Sequence, residues 1–341
     1  RGRAPPIGCP PGAHACGIWI GALSRSDRVL AVEEQRQQTR RPPCVTAAIA
    51  LAVLALLASA SHAAEGGYSN YIPGFYGDFG IAVEPPTTFS LRNDVYFYSA
   101  DGSRSVRSGL LEGGVEIELL LNYTTFLHKP GLELFGGSYA YGATLAFGNV
   151  DVDSQIRLGS FERGIGDDDF GLADLTLVPG MLFWNHDKVH LSLASYVVVP
   201  IGEYDDAELA NTGLNFWTFE VDLAATWLDP DTGQDYSIVL GYGYNTENTA
   251  TDYQSGDEFH VDVALNQFLS ETFAIGLNGY YLRQLGGDSG SGALLGSFKA
   301  EGLGIGPSFL WAPEFLGGAA ITLKWLHEVH GENRLEGDHI Y

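Results

Sequence analysis

Glu258, His260 and Asp262 lie two residues apart in the stretch TDYQSGDEFHVDVAL, residues 251–265. A period of two puts them on one face of a strand and Phe259, Val261, Val263 and Leu265 on the other. The same spacing recurs in Arg92 and Asp94, in Glu116 and Glu118 with Glu112 before them, and in Glu220 and Asp222; Lys324 adds a later cation. Charged rows facing a barrel interior make an acidic lumen, with Arg92 and Lys324 as counter-charges. Such a lumen is a weakly cation-favouring or dipolar pore. Alternatively, the charges satisfy one another and fill a narrow barrel.

Other polar groups offer less. His327 and His330 flank Glu328, too loosely to define a metal site. The acidic runs DVDS (151–154), GDDDFG (166–171) and EYDDAE (203–208) could hold Ca²⁺ but match no EF-hand loop. His190 and Ser192 share a face, yet no acid partner accompanies them. No catalytic residue, metal or cofactor is therefore expected. A barrel enzyme of lipase or acyltransferase type and a closed structural or adhesion barrel remain the alternatives to a channel.

The segment NYIPGFYGDFG (70–80) has no strand period and is rich in rings. Four aromatics in a free tail are a liability. Tyr71, Phe75, Tyr76 and Phe79 are thus expected to fold into the lumen as a plug and line a path for an apolar solute. Tyr253, Gln254 and Asp257 precede the strand at Glu258. They are expected at the outer rim, either meeting solute or fixing the loop to its neighbours.

The elements that must position these residues read as strands. Period-two alternation gives twelve segments, near 89–99, 112–127, 132–148, 170–184, 189–200, 214–228, 235–246, 258–268, 273–284, 298–311, 318–328 and one starting near 337. Short connections (128–131, 185–188, 229–234, 269–272, 312–317) alternate with longer ones (100–111, 149–169, 201–213, 247–257, 285–297, 329–336). In lipid every backbone group must pair within the protein, so a sheet must close on itself. The expected fold is all-β: a transmembrane antiparallel β-barrel of about twelve strands, with short periplasmic turns and longer extracellular loops. Tyr236, Tyr242, Tyr244, Phe309 and Trp311 are expected on the lipid face as interfacial girdles.

Bulk properties agree. The net charge of −24 argues against nucleic acid. Cys9, Cys16 and Cys44 all lie near the start, so the main body can hold no disulfide framework. Arg40 and Arg41 precede an apolar run, Val45 to Ala58, and Ser61-His62-Ala63 supplies small residues for cleavage. The expected organisation is a leader over 1–35, a signal peptide over 36–63, an N-terminal segment over 64–88 and the barrel over 89–341. The last strand looks short. Export to the outer membrane of a Gram-negative bacterium follows, with outer-membrane lipid, lipopolysaccharide and the barrel assembly machinery as partners.

Several stretches together carry a resemblance: GGYSNYIPGFYGDFGIAVEPP (66–86), LRNDVYFYSAD (91–101), GLADLTLVPGMLFW (171–184), NTGLNFWTFEV (211–221), TENTATDYQSGDEFHVDVAL (246–265), GYYLRQLGGDSGSG (279–292), LGIGPSF (303–309) and LKWLHEVHGENRLEGD (323–338). In number and order they resemble the outer-membrane family of the MetA pathway of phenol degradation. The resemblance implies an outer-membrane barrel linked to aromatic-compound degradation, with passive uptake of small hydrophobic solutes as the usual inference. It brings no catalytic residue.

Overall fold

A computed structural model describes residues 69–106, 111–158, 161–293 and 296–341. The expected leader and signal peptide lie outside the described residues. The strands are β1 (Phe89–Val106), β2 (Leu111–His128), β3 (Glu133–Leu134), β4 (Gly137–Leu158), β5 (Phe161–Leu172), β6 (Leu175–His186), β7 (Val189–Val199), β8 (Thr218–Asp229), β9 (Gln234–Asn245), β10 (Glu258–Ser270), β11 (Phe273–Gln284), β12 (Glu301–Trp311), β13 (Ile321–Glu332) and β14 (Glu336–Ile340).

Twelve of these form one closed antiparallel ring, β3 and β5 standing outside it. β2 pairs with both β1 and β4, and β14 pairs with both β13 and β1. Closure leaves no sheet edge at these strands, as a hydrocarbon environment requires. β14 is only five residues long, and Tyr341 extends its pairing through two backbone hydrogen bonds with Lys324.

Alternation follows the period of the strand. In β9 every second residue from Asp235 to Asn245 is buried, while Tyr236, Ile238, Leu240, Tyr242 and Tyr244 are exposed. Phe309 and Trp311 are likewise exposed on the outer face of β12. The turn between β6 and β7 takes only Asp187 and Lys188, with Asp187 at φ 53°. Asp and Asn tolerate that left-handed region better than other side-chain-bearing residues.

Two expectations fail. The segments 100–111 and 149–169 were expected as loops, but most of each is strand. β1, β2, β4 and β5 pair continuously up to Val106, Leu111, Leu158 and Phe161. The cause is visible in the residues: Val150 continues the inward row of β4 and is buried against Leu119 and Ile117. A four-stranded wall therefore rises beyond the ring on the loop side.

Glu116 and Glu118 were expected in the lumen, and they face outward. Both are exposed, whereas Ile117, Leu119 and Leu121 are buried. The alternation was read correctly and its sense inverted, because this part of the lumen is apolar. Outside, Glu116 stands opposite Asp101 and Asp153, and Glu118 opposite Asp151. Like charges directly across a ladder destabilise it, and their exposure lets water and counter-ions screen them.

Arginine scanning checks this face assignment. Leu240→Arg, on the outer face at mid-strand, should cost roughly 2–4 kcal/mol in urea unfolding from lipid vesicles. Leu121→Arg should cost clearly less and keep the heat-modifiable migration of a folded barrel. Equal losses would return Leu121 to the lipid face.

Candidate functional site

The lumen is entered by residues 69–84, which carry no strand period and cross it from the loop end to the turn end. At the loop end Asn70 Nδ2 donates to Thr218 Oγ1 at 2.7 Å. Midway the Tyr71 hydroxyl donates to Asp262 Oδ1 at 2.9 Å. Near the turn end Gly80 N donates to Asp235 Oδ2 at 2.7 Å and Ala82 N to Thr226 Oγ1 at 3.1 Å. Lys129, in the turn after β2, closes the segment with a 2.7 Å ion pair to Glu84.

Lys324 is the central clamp. Its ammonium is fully buried and donates to Gly74 O at 2.6 Å and Gly77 O at 3.0 Å. Asn278 Nδ2 adds a 2.8 Å bond to the same Gly77 carbonyl. A buried cation is costly unless hydrogen-bonded, and here the plug backbone supplies the acceptors. Gly74 has φ 76° and lies against Leu326, where a Cβ would collide with that side chain. Glycine is needed there for both reasons.

The charged residues singled out by spacing divide into three groups. Arg92 shares its Nε–H between the two oxygens of Asp94, at 2.9 and 2.8 Å, and reaches the plug through Asp78 Oδ2 at 3.1 Å. Its guanidinium lies over the Phe75 ring at 4.9 Å. Glu220, Asp222, His260 and Asp262 form a second, buried group on β8 and β10. The third was not foreseen: Glu328 takes Arg334 at 3.3 Å, His339 at 3.2 Å and the Tyr98 hydroxyl at 3.2 Å, with Tyr280 beside them. His327 points outward to Asp338 and is exposed, so it does not join Glu328. Asp78, Asn278 and Arg334 escaped sequence reasoning because each lies off the alternating rows or has an uncharged side chain.

These fastenings fall mainly on β8 to β13. Opposite them the inward rows of β1, β2, β4, β6 and β7 are largely apolar, and a cavity of about 370 Å³ remains. Phe75, Tyr76 and Phe79 line it from the plug; Leu119, Leu121, Val178, Met181 and Phe183 line it from the wall. Tyr76 also packs on Tyr196, ring centroids 5.3 Å apart. Tyr71 sits deeper, with its ring 3.9 Å from that of His260. The lumen thus has a polar half that grips the plug and an apolar half left open.

Loops close the upper end. The acidic run 166–171 is used as a set of acceptors for backbone amides. Asp167 Oδ2 takes the amides of Leu209 (2.7 Å) and Ala210 (3.1 Å), and Asp169 Oδ2 takes that of Thr212 (2.9 Å). Asp174 takes Gly202 N and Leu214 N at 2.8 and 2.9 Å. The loop between β7 and β8 is thereby pinned at the cavity, which Asn211, Thr212 and Leu214 help to line. At the rim Tyr253 donates to Asp288 at 2.6 Å, Gln254 to Asn245 O at 2.9 Å, and Asp257 accepts from Tyr242 at 2.6 Å. These three fasten neighbouring segments to one another. His190 Nδ1 lies 2.7 Å from Asn185 Oδ1.

Residues 97–341 match the sequence profile of the family described as "Putative MetA-pathway of phenol degradation". Among solved structures the chain is similar to one described as the crystal structure of the COG4313 outer membrane channel from Pseudomonas putida F1. That similarity has a TM-score of 0.60 and 16% identity, and covers 80% of this chain and 97% of the other. No curated protein matches the chain.

Two predictions follow from the anchors. Lys324→Met leaves the Gly74 carbonyl without its lysine donor, at about 1–3 kcal/mol for a buried unpaired group. Single-channel recordings should then show larger or noisier conductance in a barrel that stays heat-modifiable; unchanged traces would mean the plug holds without the clamp. At the loop, the amides of Ala210 and Leu209 hold the Asp167 carboxyl below its ordinary value. A lowered folded-state pKa contributes stability above the unfolded value and loses it as pH falls through the folded one. Hydrogen exchange at 209–212, corrected for intrinsic rate, should stay slow at neutral and mildly acidic pH and quicken only below the ordinary carboxylate range. Asp167→Ala should quicken it several-fold at neutral pH.

Proposed function

This chain belongs to the phenol-degradation family whose profile it matches, and from that premise we propose that it is a passive outer-membrane channel for small hydrophobic or aromatic compounds. The observation that carries the proposal is the apolar half of the lumen. Water-filled pores favour polar solutes, whereas an aromatic solute needs a path that offers contact without charge. The cavity of about 370 Å³ between the plug rings and the β1–β7 wall is lined mainly by aliphatic and aromatic side chains and holds a single-ring compound; the charged groups that also line it, Asp78, Arg92, Asp174, Arg334 and His339, are each paired within the protein.

The residues take distinct parts in this reading. Phe75, Tyr76 and Phe79 form the track on the plug, with Arg92 beside it, paired to Asp94 and Asp78. Glu220, Asp222, His260, Asp262 and Lys324 hold the plug side of the barrel rather than meeting solute. Tyr253, Gln254 and Asp257 stiffen the rim. Movement is downhill and needs no coupled energy. The exposed carboxylates Glu116, Glu118 and Asp153, with the half-buried Asp151, would meet lipopolysaccharide through bridging divalent ions, after insertion by the barrel assembly machinery.

Growth at limiting aromatic carbon tests this directly. Cells lacking the gene should grow several-fold more slowly on single-ring aromatics at low concentration, and equally at high concentration. Restoring the gene with Phe183→Asp should fail to rescue, although the variant barrel folds. Equal growth in all strains would favour a closed structural barrel. Ester or acyl-transfer activity in the purified protein would favour an enzyme.

A further inference from the structure

Glu220 and Asp222 on β8 and His260 on β10 meet across Gly241 of β9, which pairs with both Asp222 and His260. All three side chains are buried. His260 Nε2 lies 3.4 Å from Glu220 Oε1 and 3.5 Å from Asp222 Oδ1. None of these atoms has a hydrogen-bond partner, and neither has Asp222 Oδ2. Buried polar atoms are nearly always satisfied, so four orphans, one from each side chain lying within 4.8 Å of the others, need an explanation.

The other histidine nitrogen has its partner. Nδ1 sits 2.8 Å from Asp262 Oδ2, and the second oxygen of Asp262 is held by the Tyr71 hydroxyl. With its proton on Nδ1, the ring turns a lone pair on Nε2 toward the two carboxylates. A carboxylate behind a histidine is the usual support for a metal-binding imidazole. The neighbouring Glu328 group provides the contrast: it has comparable groups, but Arg334, His339, Tyr98 and the Gly337 amide occupy its oxygens.

An imidazolium could bridge the two acids instead, but charge-assisted bonds run about 2.7–2.9 Å, and one Nε2–H serves one carboxylate. The distances fit a metal better. Two bonds of 2.0–2.2 Å at the tetrahedral angle separate their ligand atoms by about 3.4 Å. Octahedral Mg²⁺ at 2.0–2.1 Å calls for about 3.0 Å between neighbours. Gly241 keeps the space: a Cβ there would lie 1.8 Å from His260 Nε2 and 2.6 Å from Asp222 Oδ1. The Tyr71 ring covers the site from the lumen.

We propose that Glu220, Asp222 and His260 bind one divalent transition ion, Zn²⁺ before others, with Asp262 as the orienting carboxylate. The ion joins β8 to β10 beneath Tyr71 and braces the wall on which the plug rests. Its ligands are one imidazole and two carboxylates, a donor set that suits zinc.

Protein purified from outer membranes, dialysed against chelator and reloaded with Zn²⁺, should hold one Zn²⁺ per chain by elemental mass spectrometry. His260→Gln and Glu220→Gln should lower that content at least ten-fold, while Asp167→Asn leaves it unchanged. Heat-modifiable migration reports folding in each variant. Should the variants fail to fold, Co²⁺ loaded into the unaltered barrel decides, since a tetrahedral site gives strong visible absorption. No zinc above buffer, equal zinc in folded His260→Gln, or no tetrahedral Co²⁺ band would overturn the proposal.

Discussion

Every backbone amide and carbonyl within hydrocarbon must be paired inside the protein. This chain meets that demand by closing twelve strands into a ring, and the last pairing is the most demanding. β14 contributes five residues, Glu336–Ile340, yet joins β13 to β1. Neighbouring features reinforce it. Gly337 donates to the Glu328 carboxylate, which also gathers Arg334 and His339, so the seam carries a side-chain network as well as a ladder. The buried polar groups of the lumen are arranged around this seam and the wall beside it.

That arrangement divides the interior. Polar groups of β8 to β13 take up carbonyls, amides and a hydroxyl of the crossing segment, and the remaining wall is lined mainly by aliphatic and aromatic side chains, with Arg92 and three threonines among them. The division has an energetic logic. A plug without secondary structure brings unpaired backbone into a low-dielectric space, where each orphan costs about as much as a lost hydrogen bond. Lys324, Asn278, Asp235 and Thr226 supply partners for it. An apolar solute needs no such partners, and the charged pair of the opposite wall, Arg92 and Asp94, is already satisfied.

Much of this was legible in the sequence. The twelve strand segments and the short turns follow from alternation and spacing, and adding the rule that charge avoids lipid gives the inward sense of Asp222, Asp262 and Lys324 and the outward girdle of Tyr236 and Trp311. What failed has a common cause. Alternation shows that Glu116 and Leu119 occupy opposite faces, but not which face is the lumen. That depends on the lining of neighbouring strands and on the plug. The wall formed by β1, β2, β4 and β5 was read as loops because it continues past the membrane, where strand length no longer follows bilayer thickness. The roles of Asp167 and Asp169 were hidden for another reason: their partners are backbone amides some forty residues away, and backbone amides carry no sequence signature.

The crossing segment lies at the start of the described chain and its clamps lie at the end. Lys324 is 250 residues from Gly74, and Tyr341 reaches Pro73 over 268. Bringing together points so distant costs about 5 kcal/mol in loop-closure entropy, and neither contact exists until the final strands arrive. These two contacts therefore form only with the last strands, whereas the anchors on Thr218, Thr226, Asp235 and Lys129 need no strand beyond β9. The Lys324 and Tyr341 clamps are tied to the closing of the ring, because these two residues pair with each other beside β14. A partly closed barrel lacks both its seam and the central clamp on its filling.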